Sequence, residues 1–133
     1  MLIYLDSNIV IFFVEKRPIE GPKVAARLAT AYSAGDTVAI SDLTRMECQV
    51  GPLKSGDASL LADFGRFFGL PTVSVLGLTA AVFDRAARIR ATHGFKPLDS
   101  LHLAGAVEHG CGLFLTNDVQ LARFPDIRVE ILT

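Results

Sequence analysis

Leu2 to Asn8, Leu-Ile-Tyr-Leu-Asp-Ser-Asn, constrains this chain more than any other stretch. Four consecutive apolar residues, with β-branched Ile3 and aromatic Tyr4 among them, have the content of a strand buried on both faces. Asp6 stands where that strand ends. Ser7 and Asn8, two residue types favoured at helix N-caps, precede the apolar run Ile9–Val14. A carboxylate between a buried strand and a helix start is an odd device for stability, because burying an unpaired charge is costly. The rest of the sequence should contain whatever compensates it.

Strand and helix patterns alternate along the chain. Ile9–Val14 reads as a short helix closed by Glu15–Pro18, and Ile19–Pro22 as a turn. Pro22 then opens a helix that Gly35 ends. Thr37–Ile40 is a β-rich run, and Ser41 caps a helix over Asp42–Val50 that Gly51-Pro52 should stop, leaving Leu53–Asp57 as loop. In Ala58–Phe68 the residues Leu60, Leu61, Phe64, Phe67 and Phe68 fall on one helical face. Pro71–Leu76 reads as a strand. Thr79 caps a helix to His93 that Gly94 terminates, and Pro97 opens one over Leu98–His109. Leu113–Leu115 is a strand, Asp118–Arg123 a short helix and Ile127–Leu132 a last strand. This alternation predicts a parallel sheet covered on both faces.

The 133 residues fit one domain spanning 1–133, and 50% hydrophobic content fills a core. No apolar run reaches the ~18–20 residues of a membrane span, and the N-terminus has no signal-peptide pattern. Cys48 and Cys111 lack metal-ligand spacing and read as packed, reduced thiols, which with the rest points to a cytoplasmic protein. Net charge is −1, from 13 basic and 14 acidic residues. Four acids gathered in a site would leave the rest of the surface at about +3, a balance that permits nucleic-acid contact.

Open parallel sheets collect functional groups at the carboxyl ends of their strands. Asp6 ends the first strand, and Asp118 follows the strand Leu113–Leu115. Glu47 lies on the helix after the second strand. Asp99 lies in the first turn of the helix opened by Pro97. Four carboxylates in one cleft would repel, by roughly 4 kcal/mol per pair at ~4 Å and an effective dielectric of 20. A hard divalent cation, Mg²⁺ or Mn²⁺, relieves that conflict through oxygen ligands. Each acid also has a plainer role: Asp99 as a favourable charge at a helix N-terminus, Asp118 as an N-cap, Glu47 as a solvated helix residue.

Four segments carry a family resemblance: Leu5-Asp6-Ser7-Asn8, Ile40 to Glu47, Pro97 to Ala104, and Leu115-Thr116-Asn117-Asp118. In order and spacing they resemble PIN domains, in particular the small VapC-type toxins of bacterial toxin–antitoxin pairs. The resemblance implies a three-layer α/β/α sandwich around a five-stranded parallel sheet. It implies Asp6, Glu47, Asp99 and Asp118 as a catalytic, Mg²⁺- or Mn²⁺-binding quartet, with Thr116, Ser7 and Asn8 supporting it. It also implies endonucleolytic cleavage of RNA, a protein antitoxin and a homodimer. The Gly51-Pro52 region departs from the usual pattern and bears on substrate fit.

The expected chemistry is metal-assisted phosphodiester hydrolysis leaving 5′-phosphate and 3′-hydroxyl ends, with Asp118 or Glu47 orienting the attacking water. Arg45 and Lys96 are the basic residues nearest the cleft by sequence and are candidates for RNA contact. Three rivals stand beside this reading. Metal-free attack by the RNA 2′-hydroxyl would use histidine, and His102 shares a helix face with Asp99; its plainer role is as a packed helix residue. A phosphoacceptor receiver domain needs a late lysine, and none follows Lys96. The third is a non-catalytic PIN-like module that binds RNA or protein.

Overall fold

A computed structural model describes every residue from Met1 to Thr133. In chain order the elements are β1 (Leu2–Leu5), α1 (Ser7–Val14), α2 (Glu20–Ser33), β2 (Thr37–Ser41), α3 (Asp42–Ser55) and α4 (Ala58–Phe68). There follow β3 (Val73–Leu76), α5 (Ala80–His93), α6 (Pro97–Glu108), β4 (Leu113–Thr116), a 3₁₀ helix (Val119–Arg123) and β5 (Val129–Ile131). The five strands form one parallel sheet in the order β3-β2-β1-β4-β5. The first strand is therefore the central one, as its apolar content requires.

Side chains alternate across the sheet. Ile3 and Leu5 of β1, Val38 and Ile40 of β2, and Leu113 and Leu115 of β4 pack with Val10, Val24, Leu28, Cys48, Phe64 and Phe68 on one face. Tyr4, Ala39 and Phe114 pack with Val82, Ala86, Ile89, Leu103 and Ala106 on the other. Helices α1 to α4 thus cover the first face and α5 and α6 the second, making the expected α/β/α sandwich. Tyr4 and Phe114 stack with centroids 5.4 Å apart and ring planes within 8°. The α4 stripe is core: Phe64, Phe67 and Phe68 are buried.

Several boundaries differ from the sequence expectation. The N-cap of α1 is Asp6, whose carboxylate accepts from the Ser7 backbone N–H. That starts the helix at Ser7, two residues before Ile9, and leaves the Ser7 hydroxyl free for another partner. The helix α3 runs through Gly51-Pro52 to Ser55. Pro52 is buried there, and its carbonyl accepts from the Asp57 backbone N–H at 3.0 Å. Only one backbone bond is lost to the proline so near the end, and Gly56, at φ +70°, provides the left-handed exit. The loop expected over Leu53–Asp57 is accordingly half helix. Glu20, not Pro22, begins α2, and β3 and β5 are shorter than the sequence suggests. No helix is long and apolar enough to cross a membrane.

Candidate active site

Strand order reverses between β1 and β4, so the crevice of a doubly wound sheet falls at their carboxyl ends. Asp6 lies there. Its backbone N–H donates to Leu115 O at 3.0 Å, tying the end of β1 to β4. Its Oδ1 accepts from the Ser7 N–H at 2.9 Å, and its Oδ2 accepts from the Thr116 hydroxyl at 2.7 Å. Thr116 is fully buried, and its Oγ1 accepts in turn from the Asp118 N–H at 3.0 Å. One hydroxyl thereby links the first acid to the last. Asp118 caps the 3₁₀ helix, accepting from the Gln120 N–H at 2.9 Å. Asn8 on the rim donates to Asn117 Oδ1 at 3.4 Å.

Asp99 enters from the first turn of α6. Burial raises its pKa above the ordinary aspartate value, and the charges of Asp6 and Asp118 raise it further, against the opposing pull of His102 and Lys96. The carboxylates of Asp6, Asp99 and Asp118 are thus electrostatic neighbours. Glu47 is in the opposite condition. Burial alone would raise its pKa, but the hydrogen bond and charge of His102, with the Ser7 hydroxyl, outweigh that and hold it below the ordinary value. The Glu47 Oε1 lies 2.5 Å from His102 Nε2 and 2.7 Å from Ser7 Oγ.

As the side chains stand, no three of the His, Cys, Asp and Glu residues form a group that could hold one metal ion. The fit to a hard cation is in charge and donor type: three neighbouring carboxylates, all oxygen donors, whose mutual repulsion already shows at Asp99. Closing on an ion would require side-chain rotation, for which Asp6, Asp99 and Asp118, each partly exposed, have room.

Of the supporting residues, Ser7 and Thr116 bond site acids directly, whereas Asn8 contacts only Asn117. Arg45 is exposed, pairs with Asp42 at 3.4 Å and lies over the Phe68 ring at 5.2 Å. Lys96 is exposed at the N-cap of α6, close enough to act on Asp99. Sequence reasoning set His102 aside and passed over Tyr4 and Ser41. His102 is buried, and its Nδ1 lies 2.7 Å from the Tyr4 hydroxyl, itself 2.9 Å from Ser41 Oγ. A phenol in the middle of a buried strand was the available signal, since a buried tyrosine hydroxyl needs a partner.

These features define a doubly wound α/β/α domain with a cleft of acids at its topological switch point. The PIN domain model matches residues 3–127, and the chain belongs to the PIN-domain family. No curated protein matches the sequence. Among solved structures the chain is similar to VapBC2 from Rickettsia felis bound to a promoter DNA fragment, at 19% identity, covering 100% of both chains with a TM-score of 0.84. It is similar to DNA-bound VapBC from Salmonella typhimurium at 24% identity, covering 100% of both, TM-score 0.75. It also resembles Mycobacterium tuberculosis VapC20, described as a sarcin–ricin loop cleaving toxin, at 16% identity over 95% of this chain and 98% of that one, TM-score 0.71.

Proposed function

We propose that this PIN domain is a metal-dependent endoribonuclease and the toxin of a toxin–antitoxin pair. The observation that carries the nuclease reading is the gathering of Asp6, Asp99 and Asp118 at the carboxyl edge of the sheet, where Thr116 links the first acid to the last and where burial, then the two neighbouring charges, raise the Asp99 pKa. Such a cluster costs stability and gains a purpose when a cation binds. Asp6, Asp99 and Asp118 would hold Mg²⁺ or Mn²⁺, which when bound supplies charge for the scissile phosphate and acidifies a water. The Thr116 hydroxyl and the Ser7 N–H hold the Asp6 carboxylate in one orientation. Glu47, held ionised by His102 and Ser7, would orient the attacking water and accept its proton. Lys96 would meet the RNA backbone at the cleft mouth, a contact that weakens as salt rises. Arg45 is proposed as a second, outer contact.

The metal-free histidine mechanism is disfavoured because His102 is 1% exposed and both ring nitrogens face protein partners. The toxin role is supported by the similar structures, which include a toxin–antitoxin complex from Klebsiella pneumoniae, two DNA-bound VapBC assemblies and the VapC20 toxin. A groove where the α1–α2 corner meets α4 offers the antitoxin a place. Phe13, Val14, Phe67 and Leu70 line it, and Lys16 and Arg17 flank it, which suits an apolar segment bearing carboxylates. A homodimer through the exposed Met46, Val50 and Leu53 of α3 is part of the same proposal.

The test is cleavage of a mixed RNA pool with Mg²⁺ or Mn²⁺ and mapped product ends. Cleavage leaving 5′-phosphate and 3′-hydroxyl, abolished by chelator, is expected. Chelator-resistant cleavage or 2′,3′-cyclic phosphate ends would overturn the mechanism. No cleavage, with no heat of Mn²⁺ binding in calorimetry, would favour a non-catalytic binding module.

A further inference from the structure

His102 and Tyr4 lie in the core, 1% and 0% exposed, yet both are polar and neither is one of the acids. They act on Glu47. That residue rises from α3 on one face of the sheet and meets His102 of α6, which belongs to the other, across the carboxyl edge. Both contacts to Glu47, from His102 and from Ser7, fall on Oε1, and Oε2 has no hydrogen-bond partner. Behind the imidazole, Tyr4 contacts Nδ1 and Ser41 contacts Tyr4. An ionised carboxylate can only accept, so Nε2 donates whatever the charge of the ring. The tyrosine hydroxyl can donate to Nδ1 or accept from it, with Ser41 taking the complementary part. The chain Ser41–Tyr4–His102–Glu47 is therefore satisfied in either protonation state, and no buried side-chain polar atom is left without a partner.

A half-exposed glutamate on a helix ordinarily samples several rotamers. Two bonds to one of its oxygens, from buried partners on α1 and α6, remove that freedom. We propose that His102, backed by Tyr4, is a positioning residue for Glu47, fixing Oε1 so that Oε2 is the oxygen presented to the attacking water. The proposal rests on the nuclease reading, in which Glu47 orients that water.

The experiment uses the full chain, Mn²⁺ and an RNA that the wild type cuts. His102→Leu removes the donor. His102→Gln returns an N–H near the Nε2 position, and Tyr4→Phe removes the backing. His102→Leu is expected to lower kcat by about 10- to 100-fold with KM and Mn²⁺ affinity within about threefold, and His102→Gln to restore much of the loss. A second readout needs no metal. Proton NMR of the free protein should show a strongly downfield imidazole N–H that moves upfield in Glu47→Gln and in Tyr4→Phe. A folded His102→Leu with kcat close to wild type overturns the proposal. If His102→Leu does not fold, Tyr4→Phe decides, and unchanged kcat together with an unmoved N–H signal overturns it. A wild type that cuts no RNA brings down the nuclease reading and this role with it. A cleaving wild type indifferent to His102 brings down this role alone.

Discussion

Replacing Asp99 by Asn should make the metal-free protein more stable while removing its activity. Asp99 is partly buried, and the charges of Asp6 and Asp118 act on it. At ~6 Å a like charge costs roughly 0.7 kcal/mol in water and roughly 3 at a dielectric of 20, so roughly 1 kcal/mol from each neighbour suits a half-exposed site. Against this, the α6 N-terminus favours the charge by about 0.3–1 kcal/mol, and His102 and Lys96 pull the same way. The net gain for the variant is about 1 kcal/mol, or about 4 °C in Tm for a chain of this size. The sign is fixed by the direction of the shift. A carboxyl whose folded pKa is raised favours the native state below its unfolded pKa, and that contribution is lost as pH rises through the folded value. Wild type should therefore lose stability relative to Asp99→Asn above about pH 4 and carry the full deficit at neutral pH. Thermal and urea melts in chelator, at acid and neutral pH, measure it. Mn²⁺ should then stabilise wild type by about 2.7 kcal/mol at 100 times its Kd, and the variant far less. An Asp99→Asn protein that melts lower than wild type at neutral pH in chelator would show that the carboxylate serves the helix and not an ion.

Tyr4→Phe strips a buried hydroxyl from both His102 and Ser41. It should cost about 1–3 kcal/mol by urea denaturation, and a loss under about 0.5 would mean the chain of hydroxyls is slack. Asp118→Ala removes both the site acid and the cap on Gln120, whereas Asp118→Asn keeps a capping oxygen. Both should abolish cleavage, but only the alanine variant should lose about 0.5–2 kcal/mol of stability; equal melts would assign the cap no weight. Burial pushes the thiols of Cys48 and Cys111 up to about 12 and about 11. Both stay protonated at pH 8, so a thiol-specific disulfide reagent should label them slowly in native protein and quickly in urea. Fast native labelling at either cysteine would contradict that burial.

The parts of this fold that sequence made legible are those where local and global demands agree. Leu2–Leu5 is apolar throughout and proves to be the central strand. The long helix of Val82, Ala86 and Ile89 carries Thr79 and Gly94 at its ends, and the structure uses both as caps. The misread end of α3 is a place where tertiary packing overrides a local rule, since burying Pro52 compensates one missing backbone bond. Asp6, Asp99 and Asp118 were legible as acids at strand and helix ends, and the structure makes them electrostatic neighbours. Strand order was not legible, because it is set by pairing between strands far apart in the chain. The Glu47–His102 contact was hidden for the same reason: it joins residues 55 apart in sequence across opposite faces of the sheet.

The four acids are not handled alike, and the contrast bears on their roles. Glu47 is given a buried imidazole and a hydroxyl, and its charge is favoured despite burial. Asp99 is partly buried between two like charges, and although His102 and Lys96 pull the other way its charge is disfavoured. Selection for stability alone would relieve the second case as it relieved the first, with a donor placed beside the carboxylate. Asp6 already has such donors in Thr116 and the Ser7 N–H, yet their effect stops short of Asp99. Carboxylates whose environments push them apart in this way are the mark of divided labour in a catalytic cleft. Under the proposed function, the acids around Asp99 would be the ligand set and the compensated Glu47 the proton acceptor.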